Sequence, residues 1–380
     1  MTGDAWITAT PNPALGGIGF GVVEVTWDAI GRNGSVWVSQ NGAAEQLVAR
    51  GVSGTARVEW IQWPQAFAFR LRDSDDGELL AEVQVSRDPL EPRLAERTVV
   101  ATVTEAEDPY ARDTLLLFRS LRVFGGQMAN CRAIAHVVER VDSSFRAALA
   151  ELGVEVRVVS RVNGTHRTAN KLRMLLDDPE ADWLLAVDND IVVVRDFAAM
   201  VFGEAFAGCP IDDFRYRRSD WAHYQELAGV SAQPTRMVPT RPVRGEIEVP
   251  LAFHGGVQLI PGRMVAAMGD AWLSGIERAP LDLAESPGDG WAPYMQQQIL
   301  EDDQPSLTRA VLGLGVPWRL MPLSMNVPTH TPIHPAHDPE HLEPMLIHHH
   351  HRRDEVGRLL YGSHACLNRA IDRVNREFYP

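Results

Sequence analysis

The segment Asp182-Trp-Leu-Leu-Ala-Val-Asp188-Asn189-Asp190 constrains the fold of this chain more than any other. Trp183–Val187 is a short apolar run, the length of a strand buried on both faces of a parallel sheet. It stops at two carboxylates one residue apart. On an extended strand alternate side chains share a face, so Asp188 and Asp190 are expected to point together and Asn189 away. Two acids aimed together from the end of a core strand repel each other, and both are costly to desolvate without a partner. A divalent cation resolves both problems, so the pattern reads first as a metal site.

Composition narrows the setting. The formal net charge of −14 argues against a nucleic-acid or anionic-membrane surface. No apolar run approaches the roughly 18–20 residues that span a bilayer, so no membrane span is expected. The N-terminus carries neither a basic region nor an apolar signal core. Cys131, Cys209 and Cys366 have no ligand spacing and read as reduced thiols, which predicts a cytoplasmic protein. Of the 36 lysines and arginines, only Lys171 is a lysine.

The chain changes character near residue 90. Gly21–Trp27, Ser35–Gln40, Arg57–Ile61, Ala66–Leu71 and Leu79–Val85 read as short strands, and Asn41-Gly42 is a hairpin turn signal. Residues 1–90 are therefore expected to form an all-β sandwich of immunoglobulin-like or fibronectin-like type. Its aromatics, Trp27, Trp37, Trp60, Trp63, Phe67 and Phe69, are expected to fill the core or an interface rather than form a sugar-binding platform. Residues 91–97 read as a linker. From Thr98 onward strands and helices alternate: strand Thr98–Thr104, helix Tyr110–Phe124, strand Cys131–Val138, helix Ser143–Leu152, strand Val154–Ser160, helix Thr165–Leu176, then the Asp182–Asp190 strand. That order predicts an α/β domain over 98–380, a parallel sheet covered by helices, with ligands outside the carboxyl ends of its strands. Cys209 to Pro250 shows no periodicity and reads as a long irregular functional loop.

Several short motifs follow one another along this second region. Ala101-Thr-Val-Thr104-Glu105 leads to Tyr110, and Asn170-Lys171-Leu172 lies 17 residues before Asp188. Phe253-His254-Gly255-Gly256-Val257-Gln258, Asp302-Asp303-Gln304, Leu320-Met-Pro322-Leu-Ser-Met-Asn326 and Met345-Leu-Ile-His348-His-His-His351 come after the acidic triplet. In this order the motifs resemble those of GT-A glycosyltransferases, the Rossmann-like nucleotide-diphospho-sugar transferases, and in particular the glycogenin-like, family 8-type enzymes. The resemblance implies a base site at Thr104, Glu105 and Tyr110, and Lys171 on the diphosphate. It implies Asp188, Asp190 and His348 on Mn²⁺ (or Mg²⁺), a set of hard carboxylates with one imidazole that suits those ions. His350 is the alternative ligand, since an extended chain turns it to the same side as His348. Asn189, Gly255 and Gly256 would line the donor site, with Asp303 and Gln304 near the anomeric carbon. The family has an asparagine where His254 stands. It also has a phosphate-holding lysine after the last motif, which leaves Arg352 or Arg353 as candidates here.

The function expected is transfer of a sugar from a nucleotide-diphosphate sugar, a UDP-sugar, to an acceptor the sequence does not specify, with retention implied by the resemblance. If the enzyme inverts, Asp303 is the candidate general base. Two rivals stand beside it. A sugar-nucleotidyltransferase would carry a basic glycine-rich loop after the first strand, where this chain has Glu105-Ala-Glu-Asp. A non-catalytic carbohydrate-binding protein would have no need of both acids, the lysine and the histidine.

Overall fold

The computed structural model describes residues 4–10, 12, 14, 21–61, 65–74, 77–86, 94–162, 167–177, 179–201, 203–230, 235–243, 247–301 and 303–379. Trp63, residues 91–93 of the expected linker, the start of the helix expected from Thr165, and Asp302 lie outside them. The chain divides into two compact units, Met1–Pro92 and Arg93–Pro380.

Among its described residues the first unit contains seven strands in two antiparallel sheets. β1 (Trp6–Thr10), β2 (Gly21–Asp28) and β5 (Ser53–Ile61) form one; β3 (Gly34–Gln40), β4 (Gln46–Arg50), β6 (Phe67–Asp73) and β7 (Leu79–Val85) form the other, in the order β4-β3-β6-β7. Alternating residues of both sheets, among them Val23, Val25, Trp27, Val36, Phe67, Phe69 and Leu71, meet in one core. Asn41 and Gly42 both have positive φ between β3 and β4, as the hairpin signal requires. Trp27, Phe67 and Phe69 are core residues and Trp37 is half-buried, but Trp60 is exposed, with its ring beside Phe67 and Phe69.

The second unit opens with a helical turn, α1 (Leu94–Arg97), where a linker was expected. It runs straight into β8 (Thr98–Thr104), and the Thr98 hydroxyl donates to the Leu94 carbonyl. The alternation then follows the expected course through α2 (Tyr110–Phe124), β9 (Arg132–Val138), α3 (Ser143–Glu151) and β10 (Val154–Val159). The helix expected next is a 3-10 helix, Arg167–Leu172, finished by one α-turn, α4 (Arg173–Leu176). β11 (Trp183–Val187) ends before the acids, which occupy a turn closed by the Ile191 amide on the Asp188 carbonyl, and β12 (Ile191–Val193) leaves in a different sheet.

The main sheet has seven strands in the order β10-β9-β8-β11-β16-β13-β17, with β13 (Phe206–Pro210), β16 (Phe253–Pro261) and β17 (Trp318–Leu320) completing it. It is mixed rather than wholly parallel: β8 to β11 run parallel, whereas β16 is antiparallel to both neighbours. From β8 the chain moves outward to β9 and β10, then returns to β11 on the other side of β8. The reversal leaves a crevice at the carboxyl ends of β8 and β11, the usual place for a ligand in such sheets. A second, three-stranded sheet joins β12 to β18 (Val327–Pro328) through β19 (Leu346–His348).

The stretch from Cys209 to Pro250 is more ordered than its sequence implied. It holds α5 (Arg218–Glu226) and the paired β14 (Arg236–Met237) and β15 (Val249–Pro250), and it supplies Phe214, Tyr216, Trp221 and Tyr224 to the core. A nine-residue helix of mostly polar residues is too short to show a period, and its order comes from stacked aromatics such as Tyr216 on Trp221. Beyond β16, α6 (Gly262–Ala284), α7 (Pro293–Glu301) and α8 (Gln304–Gly313) pack together, the Trp272 indole donating to Ser306 Oγ at 3.0 Å. The terminal helix α9 (Ala365–Phe378) buries Leu367, Ile371 and Val374. No described helix is long and apolar enough to cross a membrane, and all three cysteines are free and buried.

His136, in the middle of β9, is 1 % exposed, and burial holds its pKa down to about 4 from 6.5. The unfolded chain therefore takes up this proton first as pH falls. Stability should be complete above pH 6.5 and drop by as much as about 3 kcal/mol by pH 4, by linkage. Urea unfolding across that range is expected to show this fall in wild type and a flatter profile in His136→Gln.

Candidate active site

Asp188, at the carboxyl end of β11, and Thr104, at that of β8, border a cavity of 590 Å³. Its wall includes Thr104, Glu105, Tyr110, Lys171, Asp188, Asn189, Asp190, Asp303, Gln304 and His348 of the residues expected from the sequence, but not Gly255, Gly256 or the candidate arginines. The two glycines lie just behind it, in β16. A Cβ on Gly255 would sit 2.3 Å from Asp303 Oδ2, and one on Gly256 would sit 2.9 Å from the His348 ring. Glycine is needed at both positions because site side chains occupy the space a methyl would take.

Lys171 sits among the acids, 14 % exposed, with Nζ 2.8 Å from Asp188 Oδ1, 2.9 Å from Asp303 Oδ2 and 3.3 Å from the Gly255 carbonyl. Burial opposes its charge, but the two carboxylates outweigh burial and raise its pKa above the usual ammonium range. Asp303 precedes α8 without a side-chain cap hydrogen bond, so its carboxylate serves the lysine rather than the helix. The two acids of the triplet differ. Burial pushes the Asp188 carboxyl up against the pull of Lys171. Burial also opposes the charge of Asp190, yet His348, backed by His349 and His351, holds that carboxyl well below the usual range.

Strand register brings His348 to Asp190. β12 and β19 pair Ile191 with His348, and the His349 amide donates to the Asp190 carbonyl at 3.1 Å. The orientation of the ring follows from one backbone proton. The Gly256 N–H donates to His254 Nδ1 at 2.8 Å, so that nitrogen is an acceptor and the ring's proton lies on Nε2, facing Asp212 Oδ2 at 3.5 Å. Asp212 favours a charged His254, but an N–H pointing at Nδ1 leaves no room for a second ring proton. Only the NH₂ end of Asn326 suits that acceptor, at 3.2 Å, which turns its Oδ1 to His348. His348 Nδ1–H then donates to Asn326 Oδ1 at 3.1 Å. This leaves His348 Nε2 directed at Asp190 Oδ1, 3.1 Å away, and Asp188 Oδ2, 3.8 Å away. One positive charge, a proton or a metal cation, belongs between that nitrogen and the two carboxylates. A ring whose far nitrogen is fixed by a hydrogen bond is how metal-binding histidines are commonly held.

His350, the alternative to His348, does not reach the Asp188–Asp190 pair. The chain leaves β19 with positive φ at His350 and His351, so it is not extended, and His350 folds back to stack on His348 with centroids 3.8 Å apart. His351 donates from Nδ1 to Asp113, a fully buried acid on α2, which puts its Nε2 3.8 Å from Asp190 Oδ2. Neither Arg352 nor Arg353 lines the cavity: Arg352 donates to the Thr329 carbonyl, and Arg353 lies on Asp113.

Opposite the acids, the Asn189 amide donates to Thr104 Oγ1 at 3.3 Å, joining the ends of β8 and β11. Arg167 lies over the Tyr110 ring at 5.3 Å, donates to its hydroxyl at 2.8 Å, and pairs with Glu105 at 3.2 Å. Arg167, Asp113 and Asp212 were not singled out from the sequence. Arginine is too frequent in this chain to stand out, and the two acids lie outside any motif.

Fold and site define an α/β protein with a carboxylate–lysine–histidine pocket at the carboxyl ends of its parallel strands. No protein-family model matches the chain, and no curated protein does. Among solved structures, the apo structure of the bifunctional glycosyltransferase WbbM is similar at 15 % identity and a TM-score of 0.40, over 72 % of this chain and 50 % of that one. The chain thus spans about half the length of that protein.

Gly255→Ala is expected to destabilise the protein by about 1–3 kcal/mol, because Asp303 cannot move without leaving Lys171. Gly288→Ala, where a Cβ meets nothing within 4 Å, is expected to stay within about 0.5 kcal/mol in the same denaturant titration.

Proposed function

We propose that this protein is a divalent-metal-dependent glycosyltransferase that takes a sugar from a UDP-sugar. The observation that carries the reading is Lys171 held between Asp188 and Asp303, beside an imidazole nitrogen aimed at Asp188 and Asp190. The cluster combines cation-binding oxygens with a permanent ammonium at one end of a pocket of ligand size. That is what a departing diphosphate requires.

Asp188, Asp190 and His348 would hold Mn²⁺ or Mg²⁺, which when bound supplies positive charge to the leaving group. Lys171 donates to diphosphate oxygens and stabilises charge that grows as the glycosidic bond breaks. Tyr110, with Arg167 on its face, offers an aromatic wall for the base, and Thr104 and Glu105 supply polar groups at its edge. Glu105 at this position also disfavours nucleotidyl transfer, which wants cations there. Asp303 is buried with its Oδ2 2.9 Å from the Lys171 ammonium, an engagement that suits positioning better than proton abstraction. This supports retention over inversion. Asp303 and Gln304 instead position the sugar.

Incubation with a panel of nucleotide-sugars should show Mn²⁺-dependent release of UDP that Asp190→Ala abolishes; absence of nucleotide binding in every case would refute the proposal. Asn326→Leu, which frees the His348 ring, should weaken Mn²⁺ binding by roughly 10–100-fold, read by titration of the paramagnetic signal.

A further inference from the structure

Beside His348, the histidines form a second cluster. His350 Nδ1–H donates to the His348 carbonyl at 3.1 Å, and because a carbonyl only accepts, the ring presents an unprotonated Nε2 on its other side. That nitrogen lies 3.9 Å from Asp212 Oδ2. Two acceptors thus face one another across a gap too wide for a hydrogen bond. Asp212 Oδ1 is buried with no hydrogen-bond partner among the described residues. His330, exposed on the loop after β18, closes the third side, with its ring centroid 3.9 Å from that of His350. One ligand atom from each of Asp212, His330 and His350 lies within 4.8 Å of the others.

We propose that Asp212, His330 and His350 form a second cation site, distinct from Asp188–Asp190–His348, that takes a borderline transition metal of the zinc type. Two imidazoles and one carboxylate suit Zn²⁺ or Co²⁺ better than the oxygen-seeking Mg²⁺. Tetrahedral sites with bonds of roughly 2.0–2.2 Å place ligand atoms roughly 3.3–3.6 Å apart, so a swing of exposed His330 and a closure of a few tenths of an ångström between Asp212 and His350 complete the set. His254 is nearer to Asp212 but is not a ligand, because its Nδ1 accepts the Gly256 amide and its Nε2 carries the proton. The ion would tie the segment after β13 to the turn after β19, and His350 is part of the cavity wall. The inference is independent of the donor assignment.

The test uses the full chain, stripped of metal and saturated with Mg²⁺, titrated with Co²⁺ while the visible absorption of four-coordinate cobalt is followed. Wild type and Asp190→Ala are both expected to develop the band. His330→Ala, an exposed change that leaves packing intact, and Asp212→Asn are expected to lose it. A band that survives both of these changes and disappears in Asp190→Ala would place the ion at the first site and overturn the proposal; so would the lack of any band. Failure of the donor reading would show instead as UDP-sugars that neither bind nor turn over, with the cobalt band unchanged.

Discussion

The hydrogen bond from the Gly256 amide to His254 is the contact on which the rest of the pocket depends. A backbone N–H can only donate, so this one proton removes the ambiguity of every polar group connected to it. Through Asn326 it decides which nitrogen His348 offers to Asp190, and through the same imidazole it decides which nitrogen faces Asp212. The amide belongs to β16, an interior strand of the main sheet that is antiparallel to both its neighbours. The chemistry of the site is thereby set by a strand buried along its whole length, as a preorganised polar site requires.

Charge balance is the second constraint. Asp188, Asp190 and Asp303 crowd one end of the cavity with a single ammonium among them. Three carboxylates against one lysine leave this end of the cavity rich in negative charge, and the ring nitrogens of His348 and His351 are turned toward Asp190. Arginine could not substitute for Lys171 without cost. Its planar fork suits two oxygens in one plane, whereas Nζ here reaches two carboxylates and a carbonyl from different directions.

Much of the α/β unit was legible in the sequence because its strands are continuous apolar runs and its first helices are amphipathic; β8 and α2 have the very bounds expected. The candidate site was legible because its residues sit at strand ends within short motifs. What could not be read depends on contacts between distant segments. The antiparallel sense of β16 is invisible in an apolar run that would suit either direction. The turn at Asp188–Asp190 looks like the end of a strand until β12 is seen to pair with β19. His348 and His350 were separable only through the positive φ of the turn after β19, which four consecutive histidines do not announce. The helix within 209–250 was hidden because its order comes from aromatic stacking rather than period.

The division of the pocket between two sheets has a kinetic side. Asp190 leaves the main sheet and His348 arrives from the three-stranded one, 158 residues later in the chain. A chain that has emerged only as far as β17 can assemble β8 to β11 from local contacts, yet it holds Asp188 and Asp190 without His348. Closing a loop of that length is among the slow, late steps of folding. Tight retention of a cation by Asp188, Asp190 and His348 would therefore report that the segment carrying β19 has docked, not merely that the acids are present.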